Sequence, residues 1–442
     1  MSSDYRQFEN AYGMDVVEKY TPVDDDYNIL SKQSSKLIKE LSEFIPKSTE
    51  KSEIKRNIVT DEFVGNFYDY FNESYSYVKQ YKYNVKCLKI TNEADIPIPS
   101  ENDLSYIDKY FRNIIFKSLK NSYSCSMKSP FGNGRIINIF FASAEKQNKI
   151  YDYIERILVW IFIISKYTEN RECSRTLNIY IYLTDPIKTL PENDINIIGK
   201  NNVNTGFTTS CSPNSNIVIY RKEEWFKVFI HESIHNFGLD FSEMNNNNTR
   251  EYILNIFPIS SKVKLYETYT DFWARTINCM FCSFYGTLKT NIMNRKELFI
   301  INFYKHINDE RNFSYLQVVK ILHFMKLEYK DLYTKNFESE VKRFLFYKEN
   351  TSVFAYYILC CVLFNQFNDF IAWCIENNSN QQILVQFNKT EDNQINFCKF
   401  IESNYENESL LNILSDINNK LKSNGKSDEL FYRTLMKSIN SC

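Results

Sequence analysis

Two histidines and a glutamate occur at a spacing that suits metal chemistry. His231, Glu232 and His235 form an HExxH motif within the segment VFIHESIHNFG. Residues four apart share one face of a helix, so both imidazoles can bind a single ion. Glu232 lies about 100° around the helix from His231, beside that ion and not on it. This is the place of a general base that takes a proton from a catalytic water.

The plain alternative is a chance HExxH on an ordinary buried helix. The chain has four histidines, and two of them fall in the motif. Composition alone would produce such a motif on the order of a few times per thousand chains. Trp225, Phe226, Phe229 and Ile234 make its flanks apolar, and burying two histidines and a glutamate without compensation is costly. The segment therefore predicts a metal site.

Asp240 is one candidate for the third protein ligand, which a catalytic zinc site needs in addition to a water. It follows His235 by five residues, beyond a turn at Gly238. In the longer motif HExxHxxGxxH the third ligand comes three residues after the glycine. That position here is Phe241, which cannot bind zinc. Asp240 is one residue away from the ligand position, and the spacing disfavours it.

Glu267 is the favoured third ligand. Glu267 and Asp271 are four residues apart on a predicted helix, and hence on one face. Glu267 could coordinate the metal, while Asp271 could accept a hydrogen bond from the free ring nitrogen of a ligand histidine and fix its tautomer. The alternative is a surface pair of Asp271 with Arg275, with Glu267 in solvent. Burial of the helix is favoured by its apolar residues, which are Leu265, Phe272, Trp273 and Ile277.

An HExxH motif followed by Glu-x-x-x-Asp on a separate helix resembles the gluzincin group of zinc peptidases, which includes the thermolysin-like enzymes. The resemblance implies that His231, His235 and Glu267 bind Zn²⁺, that Glu232 is the catalytic base, and that Asp271 orients a ligand histidine. The interval from His235 to Glu267 is longer than the commonest gluzincin spacing, which an insertion would explain. The chain as a whole is also similar to metallopeptidase-like proteins of large DNA viruses.

The elements around the motif predict an α+β protein, with a zincin-like core embedded in a mainly helical chain. We predict strands at Arg135–Ala142, Leu177–Leu183, Thr205–Ser210 and Ile217–Tyr220, and helices at Ala144–Lys166, Glu223–Phe237 and Lys264–Phe284. This order resembles the upper part of the zincin fold, over roughly residues 135–285. We divide the chain into a mainly helical N-terminal region (1–130), the zincin-like core (131–289) and a helical C-terminal domain (290–442).

The same resemblance implies an edge strand that lines the cleft and pairs with extended substrate. Asn204, Gly206 and Phe207 stand where thermolysin-like enzymes carry that segment. The free N–H and C=O groups of an edge strand can hold a peptide by main-chain pairing. An ordinary internal strand is an equal alternative.

Peptide hydrolysis is the function that the resemblance implies, with a zinc-activated water and Glu232 as general base. In this group a histidine or tyrosine beyond the third ligand stabilises the oxyanion. His306 and His323 are the remaining histidines, and His323 is our candidate. Its neighbours Ile321, Leu322 and Phe324 are apolar, so a buried structural histidine is the alternative. With 32 tyrosines in the chain, no particular tyrosine can be selected.

The competing hypothesis is a non-catalytic protein, structural or part of a virion, that keeps the zincin fold around a structural zinc. A structural zinc site has no use for a base, so the presence of Glu232 argues against this class. A peptidase with a peptide or protein substrate is therefore preferred.

The bulk composition limits other functions. The net charge of −1 over 442 residues gives no electrostatic footprint for nucleic acid or for an anionic membrane. The longest apolar runs, Ile157–Ile164 and Phe354–Phe364, are too short to span a bilayer and predict buried helices. Eleven scattered cysteines and a polar N-terminus without a secretory signal predict a reduced, cytoplasmic setting, or a virion if the protein is viral.

Overall fold

The computed structural model describes residues 32–45, 53–81, 83–129, 134–168, 172–193, 195–291, 293–378, 383–424 and 432–438. Within them the protein is a mainly helical α+β structure with one small mixed sheet. Part of the predicted N-terminal region therefore lies outside the described residues.

Six strands form the sheet, in the spatial order β1-β2-β3-β4-β6-β5. Neighbouring strands pair antiparallel from β1 to β3, parallel from β3 through β4 to β6, and antiparallel between β6 and β5. The strands are β1 (Lys86–Lys89), β2 (Asn121–Lys128), β3 (Ile136–Ser143), β4 (Thr176–Tyr182), β5 (Gly206–Thr208) and β6 (Asn214–Ile219).

The helices precede, connect and follow these strands. Before β3 they are α1 (Lys32–Phe44), α2 (Ile58–Gln80), α3 (Glu101–Tyr106) and α4 (Lys109–Ser118). Between β3 and the motif they are α5 (Gln147–Tyr167) and the short α6 (Lys200–Val203). The motif helix and those after it are α7 (Trp225–Asn236), α8 (Asn247–Ile256), α9 (Leu265–Leu288), α10 (Arg295–Phe324), α11 (Phe337–Phe346), α12 (Cys360–Asn365), α13 (Phe367–Asn377), α14 (Glu391–Asn404) and α15 (Glu408–Asn424), and a π-helical segment at Phe354–Leu359 precedes α12.

Helices cover both faces of the sheet. Ile139, Ile179 and Ile217 are aligned across the parallel centre and are fully buried, as expected for β-branched residues in strands packed on both faces. On one face α5 and α7 pack against this row, while Phe111 and Ile115 of α4 cover the other face. The motif helix therefore lies directly against the sheet.

One apolar cluster contains residues from all three predicted regions of the chain. It joins Phe67 of α2, Ile157 of α5, Trp273 of α9 and Phe364 of α12. Residues of the apolar runs Ile157–Ile164 and Phe354–Phe364 are buried within it, which confirms their prediction as buried helices. The three-part division of the chain stays a prediction.

The predicted elements of the core agree with the structure apart from shifts at their ends. The strand pair β1 and β2 was not predicted, because all four residues of the short β1 are exposed, and Tyr123 is the single residue of β2 (NSYSCSMK) that is β-branched or aromatic, the types that mark strands. Within the described residues no single helix combines the length and apolarity needed to span a membrane. The consecutive helical segments Phe354–Asn365 and Phe367–Asn377 meet that test only as a pair, with a 93° bend between them.

The expectation of reduced cysteines is wrong for Cys173 and Cys211, which form a disulfide bond with Cα atoms 4.5 Å apart. The two residues are separated by 38 positions, and no spacing pattern marks them as a pair. The bond lies against the turn that ends α7, since a Cβ atom on Gly238 would be 3.4 Å from the Cys173 Sγ.

Candidate metal centre

The motif helix α7 passes through the core with every residue from Trp225 to Asn236 buried. Ser233 accepts a 2.6 Å hydrogen bond from the indole N–H of Trp160 on α5. This contact fixes one side of α7 against α5. The helix ends before Gly238, whose φ of 64° is the left-handed conformation that glycine adopts readily at a helix end.

Three side chains that the sequence analysis selected as ligands meet at one point. The Nε2 atoms of His231 and His235 lie 3.1 Å apart. The Oε2 atom of Glu267 lies 3.1 Å from the first and 3.3 Å from the second. Ligands at zinc distances in a tetrahedral site would be about 3.3 Å from one another. These three atoms could therefore hold a metal ion.

Glu267 reaches the histidines because α9 packs along α7. Its carboxylate is in the first turn of α9, and its side chain is only 12 % exposed. Burial opposes ionisation, but the contacts with His231 and His235 outweigh it and hold the pKa of Glu267 well below its usual value. Such a carboxylate is ionised at neutral pH and is ready to bind a cation.

Each histidine has a carboxylate behind it. The Nδ1 atom of His235 lies 2.6 Å from Asp240 Oδ2, and the Nδ1 atom of His231 lies 3.6 Å from Asp271 Oδ1. A carboxylate in this position favours the tautomer whose Nε2 lone pair points at the metal. Burial lowers the pKa of His235, but Asp240 and Glu267 outweigh this effect and raise it well above the usual value. Asp240, which the spacing disfavoured as a ligand, thus orients His235, a candidate ligand.

Asp271 has a second partner that the sequence analysis did not identify. Lys227, one turn before His231 on α7, forms a buried ion pair with the Asp271 carboxylate. Arg275 lies 3.9 Å from the other oxygen of Asp271 and 2.7 Å from Glu310 on α10. These cations hold the pKa of Asp271 far below its usual value in spite of its burial. The carboxylate that faces His231 is therefore ionised and fixed in place.

Glu232 faces the cleft beside the two histidines. It lines this cleft together with His231 and Tyr356, and its exposure is 8 %. Burial raises the pKa of Glu232 above its usual value, although the neighbouring histidines oppose the shift. A carboxylate with a raised pKa is better suited to accept a proton from water near neutral pH.

Tyr356 is a second residue of the site, after Lys227, that sequence reasoning missed. Its hydroxyl lies 3.0 Å from Glu267 Oε2, and its ring lies 5.8 Å from that of His231 in an edge-on contact. It belongs to the π-helical segment Phe354–Leu359, a rare geometry that occurs frequently at functional sites. The chain has 32 tyrosines, and Tyr356 lies 89 positions from Glu267, so nothing in the sequence distinguishes it from the others.

His323 lies apart from this cleft. It lines a different cavity, of about 550 Å³, together with Pro191, Lys342 and Lys422. That cavity shares no lining residue with the cleft at His231. The structure therefore does not bring the predicted oxyanion residue to the metal centre.

The predicted edge strand borders the cleft, but its residues point to both faces of the sheet. β5 pairs only with β6 among the described strands and forms the edge of the sheet. Asn204 and Gly206 line the cleft, whereas Phe207 packs on the opposite face of the sheet, where its ring lies 5.5 Å from that of Tyr106. A Cβ atom on Gly206 would be 2.8 Å from Val218 O of β6 and 3.0 Å from Val228 Cγ1 of α7, so only glycine fits between β6 and α7 at this position.

Comparisons with protein-family models, with curated proteins and with solved structures found no match for this chain. What the site can do must therefore be inferred from its own side chains.

Proposed function

We propose that this protein is a zinc-dependent peptidase of gluzincin type. The observation that carries the proposal is the convergence of His231 Nε2, His235 Nε2 and Glu267 Oε2 within 3.3 Å of one another, with Glu232 facing the same cleft. Two histidines and a glutamate form the donor set of catalytic zinc in thermolysin and carboxypeptidase A, where a fourth position stays open.

The surrounding fold supports a zincin-like core. The chain runs from β3 through the long helix α5 to β4, then to the antiparallel edge strand β5, to β6 and into the motif helix α7. This is the order that the gluzincin resemblance implies. The third ligand then comes from α9, a separate helix that packs on α7.

The chain supplies a base, Glu232, and a hydrogen-bond donor, Tyr356, that line the same cleft. Zinc bound here would polarise the substrate carbonyl and make a water more acidic. The Glu232 carboxylate would accept a proton from that water and pass it to the leaving amine. The Tyr356 hydroxyl would donate a hydrogen bond to the oxygen that gains negative charge. In this proposal Tyr356 takes the role that the sequence analysis gave to His323.

The substrate would be an extended peptide held beside β5. Asn204 and Gly206 border the cleft, and the outer edge of β5 has no strand partner among the described residues. An extended chain could pair with this edge by main-chain hydrogen bonds. Such pairing would place a peptide bond next to Glu232.

The experiment compares cleavage of a broad peptide library by the wild-type chain and by Glu232→Gln, with metal content measured in both. Loss of the base is expected to slow hydrolysis by about 10²–10⁴-fold without loss of zinc. Glu243→Gln is the matched control, because Glu243 is exposed and pairs with Lys389. It should behave as the wild type.

A structural zinc site is the second candidate, and the narrowness of the cleft favours it. His231 and His235 are 5 % and 7 % exposed, and the free volume beside them is about 30 Å³. Stoichiometric zinc without any Glu232-dependent cleavage would support this candidate and contradict the peptidase proposal.

A further inference from the structure

The C-terminal strap, which we define as residues 432–438, runs through the interior of the protein. All of its residues from Arg433 to Ser438 are buried, and Lys437 and Ser438 are fully buried. After Tyr432, which is helical, the segment has no regular secondary structure apart from one antiparallel bridge between Arg433 and Thr189. Its backbone N–H and C=O groups must therefore find partners elsewhere.

Acidic side chains bind the amide groups of the strap. Glu224, at the start of α7, accepts hydrogen bonds of 2.9 Å from both Met436 N and Lys437 N. Glu310 on α10 accepts a 2.8 Å hydrogen bond from Ser438 N. Glu224 is itself fixed by Lys188, whose Nζ lies 2.6 Å away. The strap is thus tied to the helix that carries the HExxH motif.

Donors from other elements bind the carbonyl groups. Lys320 donates a 2.6 Å hydrogen bond to Arg433 O, Tyr357 a 2.6 Å bond to Thr434 O, and Gln317 a 2.7 Å bond to Leu435 O. With partners on both sides, the strap is held as a bound peptide is held in a groove. The path of the strap's backbone is therefore defined.

Met436 is the strap residue that enters the cleft. It lines the cleft with Val203, Gly206, Val228 and Glu232. Its Sδ atom lies 3.3 Å from Lys227 Nζ, so it covers the buried pair of Lys227 with Asp271. With Met436 in place the free volume is about 30 Å³, which is room for about one or two water molecules.

We propose that Met436 is a specificity-determining residue, which limits substrates to those with glycine, alanine or serine next to the scissile bond. This inference rests on the proposed peptidase function. A peptide whose scissile bond lies at Glu232 must place a neighbouring side chain in the part of the cleft that Met436 and Val228 line. Because the strap backbone is hydrogen-bonded on both sides and Met436 is only 5 % exposed, its side chain stays in the cleft, and larger substrate side chains clash with it.

The test is to compare the wild-type chain with Met436→Ala on a peptide library in which the residues on both sides of the scissile bond vary. The wild type should cleave peptides with a small residue at one of these positions. Met436→Ala should raise cleavage of the valine and leucine peptides relative to the alanine peptide by about tenfold or more, the discrimination that one or two methylene groups provide in an apolar pocket. Met436→Val shortens the side chain less and should produce a smaller shift in the same direction. This variant replaces Met436→Ala in the test if the alanine variant does not fold.

Leu435→Ala is the matched control. Leu435 is 2 % exposed and lies on the same strap, but it does not line the cleft. It should keep the wild-type profile. An active wild type without a preference for small residues, an unchanged profile in the Met436 variants, or an equal shift in Leu435→Ala would overturn the inference while the peptidase proposal stands. A wild type that cleaves no peptide contradicts the peptidase proposal itself, and the inference with it.

Discussion

The Nδ1 atom of His235 lies 2.6 Å from Oδ2 of Asp240, a fully buried carboxylate five residues further along the chain. The other oxygen of Asp240 accepts a 2.9 Å hydrogen bond from Ser242 Oγ. The carboxylate is thus fixed, and it fixes the ring in turn. The turn at Gly238 places Asp240 beside Nδ1 of His235, on the side of the ring opposite to the Nε2 atom that faces Glu267. Asp240 is therefore close to His235 in the sequence, as a ligand would be, but its position is that of an orienting group.

Asp240→Asn should weaken zinc binding by about 10–100-fold without removing the site, because an amide holds the ligand histidine and its tautomer less firmly than a carboxylate. The measurement is competition for zinc with a chelator of known affinity. Ser242→Ala removes the outer contact of Asp240 and a contact with Ser210 but keeps the carboxylate behind His235, and should weaken binding less. Equal zinc affinity for the wild type and Asp240→Asn would show that the contact has no orienting role.

Tyr356→Phe should lower kcat by about 10²–10³-fold, the loss typical for one donor to an oxyanion, while the zinc content stays that of the wild type. Steady-state kinetics on the best library peptide gives this value. The adjacent Tyr357→Phe is the control, since the Tyr357 hydroxyl donates to Thr434 O and does not line the cleft. A similar fall in kcat for both variants would mean that general damage to the π-helical segment, and not loss of a donor, explains the effect.

Gly238→Ala should destabilise the protein by about 1–2 kcal/mol, because the residue would have to keep a left-handed φ of 64° that a Cβ atom disfavours. Gly199→Ala is the paired control: its φ of −127° is ordinary, and an added Cβ atom would meet only Ile197 O, at 3.8 Å. Urea unfolding measures both. Equal stability of the two variants would argue against the helix-ending turn at Gly238.

Asp309→Asn tests a pH dependence. Burial raises the pKa of Asp309 to about 7, although Lys305 opposes the shift, whereas an aspartate in an unfolded chain has a pKa of about 3.9. Between these values the folded state keeps a proton that the unfolded state has released, so this residue lowers stability as the pH rises from about 4 to about 7. A tenfold change in proton affinity corresponds to about 1.4 kcal/mol, so the stability that this residue removes over this pH range is at most about 4 kcal/mol.

The Asn variant has no proton to lose, so its stability relative to the wild type should be greater at pH 8 than at pH 4. Urea unfolding of both proteins at the two pH values gives this difference. A constant difference between the two proteins would show that Asp309 does not titrate in this window.

The local part of the site could be predicted from the sequence. His231, Glu232 and His235 depend only on helical spacing, and Glu267 with Asp271 on the spacing of a second helix. The structure brings His231, His235 and Glu267 together. The strands and helices that were predicted for the core likewise follow from apolar periodicity, with shifts at their ends, whereas the helices α6 and α8 and the strands β1 and β2 were not predicted.

Residues brought in by distant parts of the chain could not be predicted. Tyr356 and Met436 are far from the motif in sequence, and neither stands in a recognisable pattern. The strap is polar in sequence (RTLMKS) yet buried, because Glu224, Glu310 and Lys320 satisfy its backbone. Such complementarity between distant residues leaves no periodic signal. His323 was chosen because it is a histidine that follows Glu267 in the chain, and neither its residue type nor its place in the sequence shows which residues it packs against.

The most direct test of the metal centre is the zinc content of the purified chain and of Glu267→Ala, measured by elemental analysis after equilibration with zinc and removal of the excess. The wild type should hold one zinc ion per chain and Glu267→Ala much less, whereas Glu340→Ala, at an exposed position on α11, should match the wild type. A wild-type chain without zinc, or a full equivalent retained by Glu267→Ala, would contradict the assignment of His231, His235 and Glu267 as the ligand set.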